Sequence, residues 1–180
     1  MLRIEPVTTY KHKQDFIQFP YQLYRDIAQW VSAPQLAALD QINPQKNPFF
    51  DHADFHAFLA FQNNKIVGRI AVSVDHDYNQ FHDCQTAMLG YFDCIDDSVI
   101  ANTLITQATS WAKDHYKMQS ILGPINLSTN YECGLLVDGF HEPPTVMMTY
   151  HPNYYEKFFL SAGFSKAKDL FTYHLTKEHM

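Results

Sequence analysis

The sequence predicts a mixed α/β domain built on a central, mostly antiparallel sheet flanked by helices. Three observations lead there. Two apolar runs, Phe55 to Phe61 and Lys65 to Val74, are joined by Asn63-Asn64, a pair suited to a tight hairpin turn. One long amphipathic segment, Val99 to Lys117, follows a further strand-like run. Strand and helix signals alternate along all 180 residues without a repeat, a low-complexity tract or a linker, so 1–180 reads as a single domain.

Each element has its own local reason. Leu2 to Val7 alternates as a short first strand. Lys11 to Arg25 places Phe16, Phe19, Leu23 and Ile27 near helical spacing, and Pro20 predicts a break or kink there. Pro34 opens a short helix over Gln35 to Asp40, because its fixed φ suits a first turn. Asn43 to Asp51, punctuated by Pro44 and Pro48, is a loop leading into the hairpin. Thr86 to Ile95 is the next strand, and the run Ala87 to Phe92 predicts burial on both faces. In the long helix Ile100, Leu104, Ala108 and Trp111 recur at steps of three and four. Its acidic start and its basic end at Lys113, His115 and Lys117 suit the helix dipole. Ser120 to Ile125 follows as a strand ended by Gly123-Pro124, then Asn153 to Ala162 as a helix closed by Gly163, and Lys168 to Leu175 as a last strand.

Bulk properties remove several function classes. The formal charge is −6 and no lysine or arginine run exceeds Lys11 and Lys13 around His12, which argues against a phosphate-tracking nucleic-acid surface. Hydrophobic residues make up 46% and aromatics 15%, enough for a sizeable core. Cys84, Cys94 and Cys133 form no CxxC pair and leave an odd thiol, as expected of a reduced, cytoplasmic protein. The opening MLRIEPVTTY reads as a strand rather than a signal peptide, and no apolar run approaches the ~18 residues of a membrane span.

The stretch from Gly123 to Tyr155 does not read as a core element. It gathers Asn126, Ser128, Asn130, Glu132, Cys133 and the tyrosines Tyr150, Tyr154 and Tyr155 in a segment broken by glycine and proline. That composition fits the wall of a pocket.

The element order and several segments resemble the GNAT acyltransferase superfamily: the hairpin entering KIVGRIAV, and NYYEKFFLSAGFSKAKDL as its late helix, Gly-Phe turn and closing strand. NPFFDHADF, GPINLSTNYECGLLVDGF and AKDL resemble more narrowly a group of uncharacterised bacterial GNAT-like proteins, often longer than this chain. The resemblance implies a GNAT-like fold and transfer of an acyl group from acetyl-CoA or another acyl-CoA to a small-molecule amine. It places the thioester where two strands splay beside the central helix, so Tyr91, Phe92, Asp93, Cys94 and Ser98 become cofactor-binding candidates. Tyr155, Asn130 and Glu132 are the catalytic candidates, with Asn126, Ser128, Tyr150 and Tyr154 against the acceptor.

Two departures from that pattern stand out. The turn YFDCIDDSVI has no glycine and carries Asp93, Asp96 and Asp97. A pyrophosphate facing it would meet like charge, at roughly 4 kcal/mol for a 4 Å contact in an effective dielectric near 20. The plainer role for Asp96, Asp97 and Ser98 is to cap the helix. Four residues before Gly163, where many family members carry a proton-donating tyrosine, stands Phe159, with Tyr155 one turn earlier.

Other constellations have bland counterparts. His52 and His56 would share a face on a helix, but the surrounding loop and strand predict capping or hydrogen bonding, and no metal. Cys133 beside Glu132, with a distant His141 or His151, reads as a packed thiol before a nucleophile. Asn126, Ser128 and Asn130 either orient a substrate or close turns on the backbone. The functional expectation is an acyl-CoA-dependent N-acyltransferase. The alternatives are a catalytically degenerate binding module on the same scaffold, and an assembly protein that buries its aromatic surface in a homodimer.

Overall fold

A computed structural model describes residues 1–173. Five strands, β1 (Leu2–Pro6), β2 (Ala53–Gln62), β3 (Lys65–Asp75), β4 (Thr86–Cys94) and β5 (Ser120–Leu122), form one sheet in sequential order. The first three neighbouring pairs are antiparallel and β4 pairs with β5 in parallel, giving the mixed, mostly antiparallel sheet expected. The β2–β3 hairpin turns at Asn63 and Asn64 with φ of 50° and 61°, the left-handed conformation that asparagine tolerates.

Among the described residues five α-helices accompany the sheet: α1 (Tyr10–Leu23), α2 (Gln35–Gln41), α3 (His76–Phe81), α4 (Ser98–Tyr116) and α5 (Tyr155–Ser161). The α4 stripe Ile100, Leu104, Ile105 and Ala108 packs with Phe58, Ile70, Val72, Leu89 and Phe92 of the sheet, and α5 adds Tyr155, Phe158 and Phe159. On the opposite face, Phe16 and Ile17 of α1 cover Leu59, Ala71 and Tyr91.

Three sequence expectations are corrected and one helix is added. Helix α1 runs through Pro20 without breaking, and the Phe16 carbonyl that the proline leaves without a helical donor accepts from Arg69 Nη1 instead. The helix α3 was not anticipated; Asp75 caps it by accepting from the Tyr78 N–H at 3.0 Å. Strand β5 stops at Leu122, and beyond it the Ile125 N–H still reaches the Leu89 carbonyl at 2.8 Å. The closing strand is absent over 168–173, with Leu170, Phe171 and Tyr173 exposed; residues 174 and 175 lie outside the described residues. A strand needs a hydrogen-bonding neighbour, and among the described residues none flanks this segment.

The feature of the sheet that positions the site is a bulge in β4. Arg69 of β3 lies opposite Asp93 and Ala71 opposite Gly90, so Ile70 faces two residues, Tyr91 and Phe92. Tyr91 takes φ 47° to accommodate the extra residue. Before the bulge Ala87 and Leu89 face α4; after it Phe92 and Cys94 do. Tyr91 and Asp93 are thereby turned to the α1 face. Gly90 allows the chain after β5 to come close, since a Cβ there would stand 2.0 Å from the Ile125 carbonyl oxygen.

Candidate functional site

The site begins with a buried arginine on a strand. Arg69 is 9% exposed and its Nε donates to Asp93 Oδ2 at 2.6 Å. Its Nη1 donates to the Phe16 carbonyl at 2.8 Å. That carbonyl is available because residue 20, which would bond it in an uninterrupted helix, is a proline without an N–H. Pro20 therefore hands an acceptor of α1 to the sheet. The guanidinium also lies over the Phe16 ring at 4.9 Å and the Tyr91 ring at 5.7 Å, contacts that stabilise a partly desolvated cation.

Asp93 is the end of a chain of donors. The Tyr24 hydroxyl donates to Asp93 Oδ1 at 2.5 Å and meets the Tyr155 hydroxyl at 2.8 Å. With the Tyr24 proton directed at Asp93, Tyr155 must be the donor between the two tyrosines. The Tyr155 oxygen in turn accepts the Cys94 N–H at 2.7 Å. Burial, then the Asp93 charge, holds the Tyr24 and Tyr155 hydroxyls well above the usual tyrosine range, so both stay protonated. Tyr155 belongs to the core on the α4 face, yet its hydroxyl joins a residue at the end of α1. The network links the two sides of the sheet at the end of β4.

Above this floor is a cavity of about 160 Å³. Ile17, Pro20, Tyr21 and Tyr24 of the α1 region, Trp30 and Val31 beyond it, and Pro144 and Met148 of the late loop form a largely apolar wall. Tyr21 and Tyr24 pack on the Trp30 ring at 5.2 and 5.4 Å. Arg69, Asp93, Asn126, Glu132 and His151 supply the polar groups. Asn126 Oδ1 accepts the Tyr91 N–H at 2.6 Å, and its Nδ2 donates to Glu132 at 3.4 Å, so this amide ties the bulge to the turn after β5. His151 is 8% exposed and its Nδ1 accepts from the Leu136 N–H at 3.4 Å. Burial lowers its pKa to about 4, so the imidazole is neutral near pH 7.

Of the residues singled out in the sequence, Tyr91, Phe92, Asp93, Asn126, Glu132, Tyr150 and His151 border this cavity. The other candidates lie outside its lining. Tyr155 reaches it only through Tyr24. Asn130 is exposed on a turn, where its N–H donates to Ser128 Oγ at 3.3 Å. The Tyr154 hydroxyl bonds the Cys94 carbonyl at 3.1 Å. Cys94 is buried, and burial followed by Asp97 and Asp93 pushes its thiol pKa up, which leaves an inert sulfur. Ser98 is the first residue of α4. The cap there is Asp97, whose Oδ1 accepts from the Val99 N–H at 2.9 Å and the Ile100 N–H at 3.2 Å. His52 and His56 diverge: the former bonds Asp75 at 3.1 Å and the latter stacks on Trp111 at 4.6 Å.

Sequence reasoning missed Arg69, Tyr24 and Trp30. For Arg69 a signal existed, because a charge inside the apolar run of β3 requires a buried partner. Nothing local marked Tyr24 or Trp30.

The architecture is shared with solved acetyltransferases. Aminoglycoside N-acetyltransferase AAC(6')-Iy in complex with CoA matches at a TM-score of 0.56 and 15% identity, over 97% of this chain and 95% of that one. A putative acetyl transferase from Pyrococcus furiosus matches at 0.54 and 11% identity, over 98% and 100%. The chain therefore has the fold of the GNAT acetyltransferases. No family model matches the sequence. Two curated relatives do: bacterial ceramide synthase of Caulobacter vibrioides, 35% identical over 96% of this chain, and protein YghO of Escherichia coli K12, 34% identical over 91%. The chain spans 45% and 42% of their lengths, somewhat less than half. Among the described residues no helix is long and apolar enough to cross a membrane.

Proposed function

We propose that this chain carries the acyl-transfer site of an N-acyltransferase that joins an acyl thioester, supplied as acyl-CoA, to a long-chain aliphatic amine. The observation that carries the reading is the cavity at the β4 bulge, which sets an apolar wall of Tyr21, Trp30, Val31 and Met148 against a floor of Arg69, Asp93 and Glu132. Val31 and Met148 are 61% and 38% exposed, and Val146 and Met147 beside the latter are also open to solvent. Such a site suits an amphiphile with its polar head inward. The relative named ceramide synthase supports an amine of that kind, because a ceramide is the amide of a long-chain amine.

The reaction asks little covalent chemistry of the protein. The amine nitrogen attacks the thioester carbonyl carbon, the C–N bond forms, and the C–S bond breaks to release the thiolate. Glu132, which has no cationic partner among the described residues, takes the proton from the nitrogen and returns it to the sulfur. Arg69, Tyr24 and Asn126 hold the floor in place, so orientation supplies much of the acceleration. Tyr155 acts through Tyr24 by keeping its hydroxyl aimed at Asp93. Asn130, Ser128 and Tyr154 shape the turn and late helix around the cavity.

One observation favours the rival, a binding module that has lost transfer activity. The first N–H groups of α4 are bonded to Asp97, beside Asp96, so this turn as it stands does not fit a pyrophosphate. Calorimetric titration with acetyl-CoA and longer acyl-CoA thioesters, followed by mass spectrometry of mixtures with dodecylamine, separates the two. Micromolar binding and formation of the N-acyl amide support the transferase. Binding of the amine with no amide from any thioester supports the module.

A further inference from the structure

Strand β2 has ten residues and β1 only five, so β1 covers β2 from Gln62 back to Phe58 and no further. The His52 carbonyl accepts the His76 N–H on the β3 side, and the Ala57 carbonyl accepts the Val7 N–H on the β1 side. Within a strand the N–H and C=O of one residue point the same way and those of its neighbours the opposite way. Phe55 and Ala57 therefore present theirs to the outer edge of the sheet. There the Ala57 N–H and both groups of Phe55 have no backbone partner among the described residues.

This edge borders a second cavity, of about 360 Å³, which Val7, Ile42, Pro44 and Phe50 wall with apolar surface and which Lys13 also lines. It shares no lining residue with the cavity at the β4 bulge. A hydrocarbon would fill the apolar wall and leave the strand's N–H and C=O groups unpaired, whereas an extended peptide satisfies both. The charges narrow that peptide. Asp54 is taken by His76 Nε2 at 2.7 Å, and the His56 ring stacks on Trp111 of α4 at 4.6 Å. Lys11 and Lys46 hold carboxylates, but Lys13 has no carboxylate partner among the described residues. We infer that this edge docks an extended, apolar segment of a partner protein, which adds as a short strand antiparallel to β2 in line with β1 and sets an acidic side chain against Lys13. Every second side chain of the segment then lies on the apolar wall.

The test titrates three capped hexapeptides of alternating valine and threonine into the wild-type protein by calorimetry. The first carries glutamate at both ends, the second glutamine there, and the third is the glutamate peptide N-methylated at its central residues. The glutamate peptide should bind ~2- to 5-fold more tightly than the glutamine peptide, the range of an exposed ion pair. N-methylation deletes the donors a strand needs and should weaken binding ~10-fold. Lys13→Gln should abolish the glutamate preference and leave the cost of N-methylation. Amide exchange read by NMR locates the contact: at saturation the Phe55 and Ala57 N–H groups slow, while that of His56, directed at β3, does not. Binding of no peptide overturns the inference, as does binding that leaves Phe55 and Ala57 unprotected. Equal affinity for the N-methylated peptide, or tighter binding of dodecanoate with no such protection, makes the cavity a site for apolar ligands and overturns it too. The comparison among peptides needs no variant, so a poorly folding Lys13→Gln does not spoil it.

Discussion

Replacing Arg69 by methionine keeps much of the side-chain volume and deletes the guanidinium. Asp93, 5% exposed, then keeps only the Tyr24 hydroxyl as a partner. The Phe16 carbonyl, already without a helical donor because of Pro20, loses its bond as well. Removing one member of a buried ion pair costs about 3–5 kcal/mol, because the other charge stays desolvated. For a chain of this length that lowers Tm by roughly 6–20 °C, at about 2–4 °C per kcal/mol. Differential scanning calorimetry with urea denaturation reads both quantities. Arg69→Met combined with Asp93→Asn should be less destabilised than Arg69→Met alone, since a neutral amide is cheaper to bury than an orphaned carboxylate. A single-variant loss under about 1 kcal/mol would refute the argument. So would a double variant whose loss is the simple sum of its parts, because coupling is what contact implies.

Three further outcomes follow from the same geometry. Tyr155→Phe leaves the buried Cys94 N–H without its 2.7 Å acceptor and should cost about 1–3 kcal/mol in urea denaturation; full stability with a lost turnover number would instead make Tyr155 a direct participant in the chemistry. His151 has a folded pKa of about 4 against 6.5 for the free side chain, so the unfolded chain binds the extra proton between those values. Stability therefore rises with pH through that window and falls on acidification, by ~3 kcal/mol across it, and His151→Gln flattens that slope in pH-resolved thermal melts. Asp97→Gly removes a cap at a cost of a few tenths of a kcal/mol and frees the Val99 and Ile100 N–H groups, so calorimetry should show tighter acyl-CoA binding; unchanged affinity means that the start of α4 does not face the donor.

Much of the architecture is written in short-range pattern. Asn63-Asn64 between two apolar runs suffices for the hairpin, because few residue pairs accept two successive positive φ values. The stripe of α4 and the carboxylate before it were equally readable, since helical period and capping are local properties. The same locality explains the misses. Pro20 looked like a break because its partner, an arginine far along the chain on β3, is invisible at helical range.

The candidate site was legible as a neighbourhood and not as a mechanism. The polar turn after β5 does supply Asn126 and Glu132 to the cavity, as its composition suggested. The side on which β4 presents Asp93 was decided by one extra residue at Tyr91, which reverses the alternation between Leu89 and Phe92. Strand periodicity cannot reveal that, because the bulge exists only in the pairing with β3. Sequence by itself determined the β2–β3 hairpin, the strand β4 and the amphipathic helix α4, through forces that act over a few residues. Tertiary structure alone decided that Pro20, Arg69, Asp93, Tyr24 and Tyr155 form one buried network, because desolvated charges and hydroxyls are satisfied only by whichever partners the folded chain brings within hydrogen-bond reach.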